Sequence, residues 1–359
     1  MYAHDIIELT KERVQHEIEE LQKAYVAGDE AVRERVDNIE KIQEGAPTER
    51  QALRVVSKKY GFHNWNTFRS YLELDGCVRK VIDAVRFGDL DGLQKLLEVH
   101  PEAANPLWPE RGALPKPIPN DSIPLFMVCI GLIDKTNTMD NTYDLVKALL
   151  CAGADPDIEN SMPLNGAASF NCVEIAEALL DGGAKIDGAN DDGWPLALAL
   201  FFGWDVAKVL EQRGAKLDLR SASGLGRLDV MASFFKSDGT LTPEAGALRL
   251  FGSKEPEYSH REILAQSLVS ACMINQVEAV EFLLDKGADI DAMPSGFDYL
   301  ATGLHRAINR GHVEVAKLLI GRGADVTLKD DRSESTALEW AEKRKLDEIA
   351  DLIRQRGDG

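Results

Sequence analysis

The tripeptide Gly-Ala-Asp or Gly-Ala-Lys begins at Gly153, Gly183, Gly214, Gly287 and Gly323, at steps of 30, 31, 73 and 36 residues. Each copy closes the same kind of segment: DLVKALLCAGAD, VEIAEALLDGGAK, VAKVLEQRGAK, VEAVEFLLDKGAD and VEVAKLLIGRGAD. Apolar residues at i, i+3, i+4 and i+7 place one buried stripe on a helix, and the glycine that follows supplies a left-handed C-cap. The step of 73 reads as two units with inserted residues. Upstream of the stripe a shorter helix recurs as MPLNGAASFN, SLVSACMINQ, TGLHRAINRG and TALEWAEKRK, with alanine near its middle. Two antiparallel helices and a turn in every thirty-odd residues make a solenoid unit, which buries its apolar face only by stacking on neighbours.

The stretch TGLHRAINRGHVEVAKLLIGRGADV, residues 302–326, resembles an ankyrin repeat. Thr302, Leu304, His305 and Ala307 match the T-P-L-H-x-A signature, with Gly303 in place of proline. The match is specific here and over 161–190 and degenerate elsewhere. The resemblance implies an all-α, ankyrin-like helical solenoid of about eight irregular repeats across 76–359. It also implies that His305 and His312 tie helix starts to neighbouring backbone, and that the chain binds a protein or peptide partner in a concave groove without chemistry of its own.

Two stretches break the register. NPLWPERGALPKPIPNDSIP, around 105–122, is proline-rich, and residues 236–261 are loop-like in composition. The unit before the second excursion is compressed, because only 12 residues separate Gly214 from Gly226. Residues 1–75 lie outside the repeat and predict helices near 4–26, 29–43, 48–60 and 64–74. They resemble the helical preface of bacterial ankyrin-repeat proteins, in which Tyr60, Phe62, Trp65 and Phe68 would cover the open end of the stack.

Composition narrows the function. Asp plus Glu number 60 against 41 Lys plus Arg, a formal charge of −19. Such a surface argues against phosphate backbones and anionic membranes, so neither a nucleic-acid nor a membrane partner is expected. The five cysteines fall in no paired spacing and sit in apolar helical patterns, which reads as buried free thiols in a cytoplasmic monomer. No signal peptide or membrane span is visible. The acidic stretch 187–194 lacks the glycine and glutamate a calcium loop needs. No P-loop, zinc-protease or Cys-x-x-Cys motif occurs, and Ser233-Phe-Phe-Lys236 has no companion motif. No catalytic residue, cofactor or metal is expected.

What remains is a surface. Inner-helix positions facing the groove run Met127, Phe170, Phe201, Met273, Arg306, Asn309, Arg310, Trp340 and Lys343, with Trp194, Tyr299 and several Asp residues at the finger tips. Aromatic and arginine side chains dominate interface energetics. The partner-binding candidates are therefore Arg306, Arg310, Asn309, Trp340, Lys343, Phe170, Phe201, Trp194 and Tyr299, with pairing of Arg306 to Asp298 or Glu339 as the structural alternative. A competing expectation is an enzyme or small-molecule pocket where the excursions fold over the groove, lined by Trp108, Tyr258, His260 and Glu262. Mimicry of nucleic acid by the acidic surface is a third, weaker reading than solubility.

Overall fold

Each Gly-Ala step is a helix end. Gly153, Gly183, Gly214, Gly287 and Gly323 all take positive φ, from +87° to +101°. In four of them the next residue's N–H reaches a leucine carbonyl five residues back: Ala154 to Leu149, Ala215 to Leu210, Ala288 to Leu283 and Ala324 to Leu319. Those leucines are fully buried. The computed structural model describes residues 11–40, 42, 45–60, 65–105, 123–137, 140–202, 204–249 and 259–357. Among these the only extended pairings are two isolated bridges, Phe235 with Leu241 and Lys329 with Thr336, so the expected all-α class holds. No described helix is long and apolar enough to cross a membrane.

Two compact units emerge, Met1–Pro163 with Glu177–Gly183, and Leu164–Ala176 with Ala184–Gly359. The first holds the preface helices α1 (Lys11–Ala27), α2 (Glu30–Asp37), α3 (Glu49–Lys59) and α4 (Trp65–Glu73), then the repeat pairs α5 (Gly76–Phe87) with α6 (Leu90–Val99) and α7 (Pro124–Ile133) with α8 (Thr142–Cys151). Thr48 and Gln51 form the capping box that starts α3. The α2 helix stops at Asp37, short of the expected 43. Tyr60 and Phe68 are buried and stack at 5.3 Å, with Trp65 edge-on to Phe68 at 5.9 Å. The expected aromatic plug is thus part of a preface core; Phe62 lies outside the described residues. Tyr71 of α4 donates to Asp83 of α5 at 2.7 Å, joining preface to first repeat through a buried polar pair.

α9 (Ile158–Ser169) and α10 (Val173–Asp181) contribute residues to both units. The second unit continues with α11 (Trp194–Phe202), α12 (Trp204–Gln212), α13 (Leu219–Leu225), α14 (Leu228–Ser233), α15 (His260–Met273), α16 (Val277–Asp285), α17 (Gly303–Arg310), α18 (Val313–Gly321), α19 (Ala337–Lys343) and α20 (Asp347–Gly357). Among the described residues α5 to α20 make eight pairs, in line with the about eight that the sequence register implies, with α13 and α14 short.

A polar peg recurs from repeat to repeat. The side chains of Asn105, Asp187 and Asp291 each accept from the N–H that follows the next Gly-Ala, on Asp155 at 2.9 Å, Lys216 at 2.8 Å and Asp325 at 2.8 Å. A backbone donor left exposed by each helix end is satisfied by the finger before it.

The thiols depart from expectation. All five are free, but only Cys129 and Cys272 are buried; Cys77 and Cys172 are half-buried and Cys151 is exposed. Cys151 is the last residue of α8, where its apolar stripe has run out.

Candidate functional site

Residues 236–249 form most of the second excursion among the described residues. After α14 the chain makes a tight turn closed by Lys236 N–H to Thr240 O and Thr242 N–H to Phe234 O, both 2.8 Å, and a 3-10 turn over Pro243–Gly246 follows. It then lays Leu248 and Arg249 against the finger before α11. Arg249 N–H donates to Asp192 O at 2.8 Å, and its guanidinium stacks on Trp194 at 3.8 Å from the ring centroid. Gly193 makes this approach possible: its φ is +73°, and a Cβ there would meet Leu248 at 3.0 Å.

Beneath Leu248 lies a buried ion pair. Arg220 and Asp218 are 1% and 2% exposed, with Nε to Oδ2 at 2.7 Å. Arg220 also donates to Gln266 Oε1 at 3.1 Å and to the Leu248 carbonyl. Gln266 in turn donates to Ser295 O at 3.1 Å, and Glu262 accepts from the Ser295 N–H and hydroxyl at 2.6 and 2.8 Å. A buried charge pair is tolerable only when such partners complete its hydrogen bonds. This chain of contacts fixes the excursion to α13, α15 and the finger before α17.

The result is a cleft of about 40 Å³ lined by Leu196, Leu200, Phe201, Met273, Ile274 and Phe297, with Asp218, Arg220, Leu248 and Arg249 at one side. That is room for about three water centres at roughly 10–15 Å³ each, or for one apolar side chain. Its lining charges are the Asp218–Arg220 pair and Arg249, which is itself paired with Asp192 at 3.8 Å. Arg310, at the end of α17, spans to the end of α11: it donates to Phe201 O at 2.8 Å and lies 5.6 Å from the Phe201 ring.

The sequence candidates divide sharply. Arg310 and Lys343 are exposed, and Phe170 is 44% exposed. Phe202, which the sequence reading passed over, is 51% exposed and packs edge-on to Phe201 at 4.6 Å. Arg306, by contrast, is 4% exposed; it donates to Asp298 at 2.7 Å and to Tyr299 O at 2.6 Å, and stacks on the Tyr299 ring at 3.8 Å. The pairing named beforehand as its structural alternative is the one formed. Trp340 is 8% exposed, and its indole donates to Asp330 at 2.9 Å. Burial would raise the Asp330 pKa, but hydrogen bonds from Trp340, Ser333 and Ser335 outweigh it and hold the carboxyl at about 2. Tyr299 is buried too, and Asn309 bridges the Tyr299 hydroxyl and Arg344. Arg306, Trp340 and Tyr299 are therefore scaffold as placed, because finger acceptors lie within their reach.

His305 and His312 are scaffold as well. His305 is buried between Thr302 Oγ1 at 2.8 Å and Ser335 O at 3.2 Å, and His312 Nε2 lies 2.9 Å from Met273 O. Burial lowers both pKa values. Of the alternative pocket residues, His260 accepts from Leu241 N–H at 3.3 Å, Glu262 clamps Ser295, and neither lines the cleft. Trp108 and Tyr258 lie outside the described residues. Sequence reasoning missed Arg220, Asp218, Leu248 and Arg249. One signal for them was available: arginine at a position of α13 where the repeat register demands a buried residue.

The sequence matches the family described as Ankyrin repeats (3 copies) over residues 137–221 and 268–358. A relative from Caenorhabditis elegans, "Ankyrin repeat and KH domain-containing protein mask-1", is 26% identical over 251 residues, 61% of this chain and 9% of that protein. Mouse "Palmitoyltransferase ZDHHC13" is 45% identical over 60 residues, 17% of this chain and 9% of that protein. The chain thus spans about a tenth of the length of these relatives. A solved ankyrin repeat domain of Bcl-3 aligns over 77% of this chain and 97% of its own, at 20% identity and a TM-score of 0.35. With its eight helix pairs, its glycine caps and this family match, the chain belongs to the ankyrin-repeat family.

Proposed function

We propose that this chain is a non-catalytic interaction module whose second unit receives a partner polypeptide at the Phe201 cleft. Ankyrin repeats are generally protein–protein interaction modules. The observation that carries the specific reading is the cleft itself: an apolar hole sized for one side chain, beside the exposed Phe202 ring and the exposed Arg310 guanidinium. An apolar anchor in a pocket with a neighbouring arginine is the arrangement from which interface hot spots are built. Arg310 has one hydrogen bond to the protein among the described residues, so most of its donors remain for a partner carboxylate or carbonyl. The exposed Arg310 guanidinium favours an acidic group on the partner segment.

A photoreactive residue placed at Phe202 tests this against one at Glu281, which is exposed on α16. Cross-linking in the native cell should yield a defined protein adduct from position 202, lost on Arg310→Glu, and none from 281. Equal adducts from both positions would remove the groove assignment.

The docked excursion favours a second reading, a small-molecule site, because Leu248 and Arg249 partly roof the cleft. The size of the cleft suits a side chain better than a whole ligand of the usual several hundred Å³.

A further inference from the structure

Away from the groove, in the first unit, three side chains of metal-binding type converge. The Cys77 thiol, the His100 ring and the Glu102 carboxylate offer ligand atoms that all lie within 4.8 Å of one another. We propose that Cys77, His100 and Glu102 form a binding site for a zinc-class divalent transition-metal ion, held by three protein ligands with a fourth position open to water.

The donor set suits that ion. A thiolate, an imidazole and a carboxylate are the zinc ligand types, and three of them with an open position is the arrangement of reactive rather than purely structural zinc sites. Bond lengths of roughly 2.0–2.3 Å put tetrahedral ligand atoms about 3.3–3.8 Å apart. His100 Nδ1 and Glu102 Oε1 are already 3.2 Å apart. Closing the remaining separations takes side-chain rotation of about an ångström and no change of fold.

The backbone holds the three in place. Cys77 sits in the first turn of α5, and His100 caps α6, its N–H donating to Leu96 O at 2.8 Å. Glu102 follows in the 3-10 turn Pro101–Ala104, whose Ala103 and Ala104 are buried. Asn105 fastens the far end of that turn to Gly153 O and Asp155 N–H, at 2.9 Å each. Asp75 fixes the start of α5 by accepting from Cys77 N–H at 2.8 Å, and it accepts from the Cys77 thiol at 2.7 Å, a contact that ends when the thiol gives up its proton. Among the described residues no other three His, Cys, Asp or Glu side chains come together in this way.

A cysteine thiol, with an ordinary pKa of about 8.5, carries its proton near neutral pH. Binding therefore breaks the S–H bond and forms a sulfur–metal bond: Cys–SH plus M²⁺ gives Cys–S⁻–M²⁺ plus one H⁺ released to solvent. No electron transfer is involved. Affinity then rises with pH through the neutral range.

The test is a cobalt(II) titration of the intact, reduced protein near neutral pH. One ion should bind per chain, with a thiolate-to-cobalt charge-transfer band, release of one proton, and displacement by zinc. Cys77→Ser should abolish the band, whereas Cys151→Ser and Cys172→Ser should retain it. His100→Ala and Glu102→Gln, at exposed positions, should weaken binding about tenfold or more with melting curves of the metal-free proteins unchanged. No charge-transfer band at saturating cobalt overturns the proposal, as does a band that survives Cys77→Ser or an affinity indifferent to both His100→Ala and Glu102→Gln.

Discussion

The last two repeats and the middle two use the same kinds of residue to opposite ends. In the last two, arginine, tryptophan and aspartate lock finger to helix: Arg306 to Asp298 and Tyr299, and Trp340 to Asp330. In the middle, a shortened repeat leaves room for an excursion whose Leu248 and Arg249, seated on Arg220 and Trp194, build a cleft. Arg306 and Arg310 compress the contrast into one helical turn. One meets acceptors for both of its terminal nitrogens and is buried; the other reaches a single carbonyl and stays exposed. Irregularity in a repeat array thus marks where surface is left over for binding, and regularity marks where it is consumed.

The contrast can be broken at either end. Asp330→Ala removes the acceptor shared by Trp340, Arg332, Ser333 and Ser335 and should cost about 4 kcal/mol in urea unfolding. A cost below about 1 kcal/mol would show that the finger is not a lock.

Asp83 in the first unit gives an effect of about 3 kcal/mol through pH alone. Burial raises its pKa from the ordinary 3.8 to about 6, against the pull of Tyr71, Arg86 and Arg79. The folded state holds this proton more tightly than the unfolded chain, so stability falls as pH rises from about 4 to about 6, and Asp83→Asn should flatten that slope. His305 and His312 act with the opposite sign. Their pKa values are lowered by burial, so the stability they support is present above about 6.5 and is lost as pH falls below it. Chemical denaturation across pH separates the two contributions when repeated on Asp83→Asn.

Gly193→Ala should cost about 2 kcal/mol, from positive φ and from displacing Leu248, and limited proteolysis should then cut within 236–249 before the repeats unfold. Resistance there equal to wild type would mean that the excursion is held by other contacts. Arg310→Ala is the smallest effect on stability, within about 0.5 kcal/mol, because its side chain is exposed.

Much of this was legible in the chain. The period and the glycine caps follow from spacing, because each repeat satisfies its backbone locally, and the structural roles of His305 and His312 follow from the ankyrin resemblance. Trp340 and Arg306 misled for a physical reason: register tells which face a residue occupies, but not whether an acceptor on a finger eight or ten residues away will take up its donors. The cleft was legible only as the suspicion that an excursion folds back, since Arg249 meets Asp192, 57 positions earlier, and no motif in the excursion itself marks that contact. Cys77, His100 and Glu102 escaped notice because their spacing matches no metal pattern; the turn after α6 brings them together.

The most direct test of the account is to measure, for the partner recovered by cross-linking at position 202, both affinity and melting temperature in wild type and Arg310→Glu. Binding should weaken at least about tenfold, roughly 1.4 kcal/mol, with the melting curve unchanged. Undiminished binding, or binding lost only together with the fold, would contradict it.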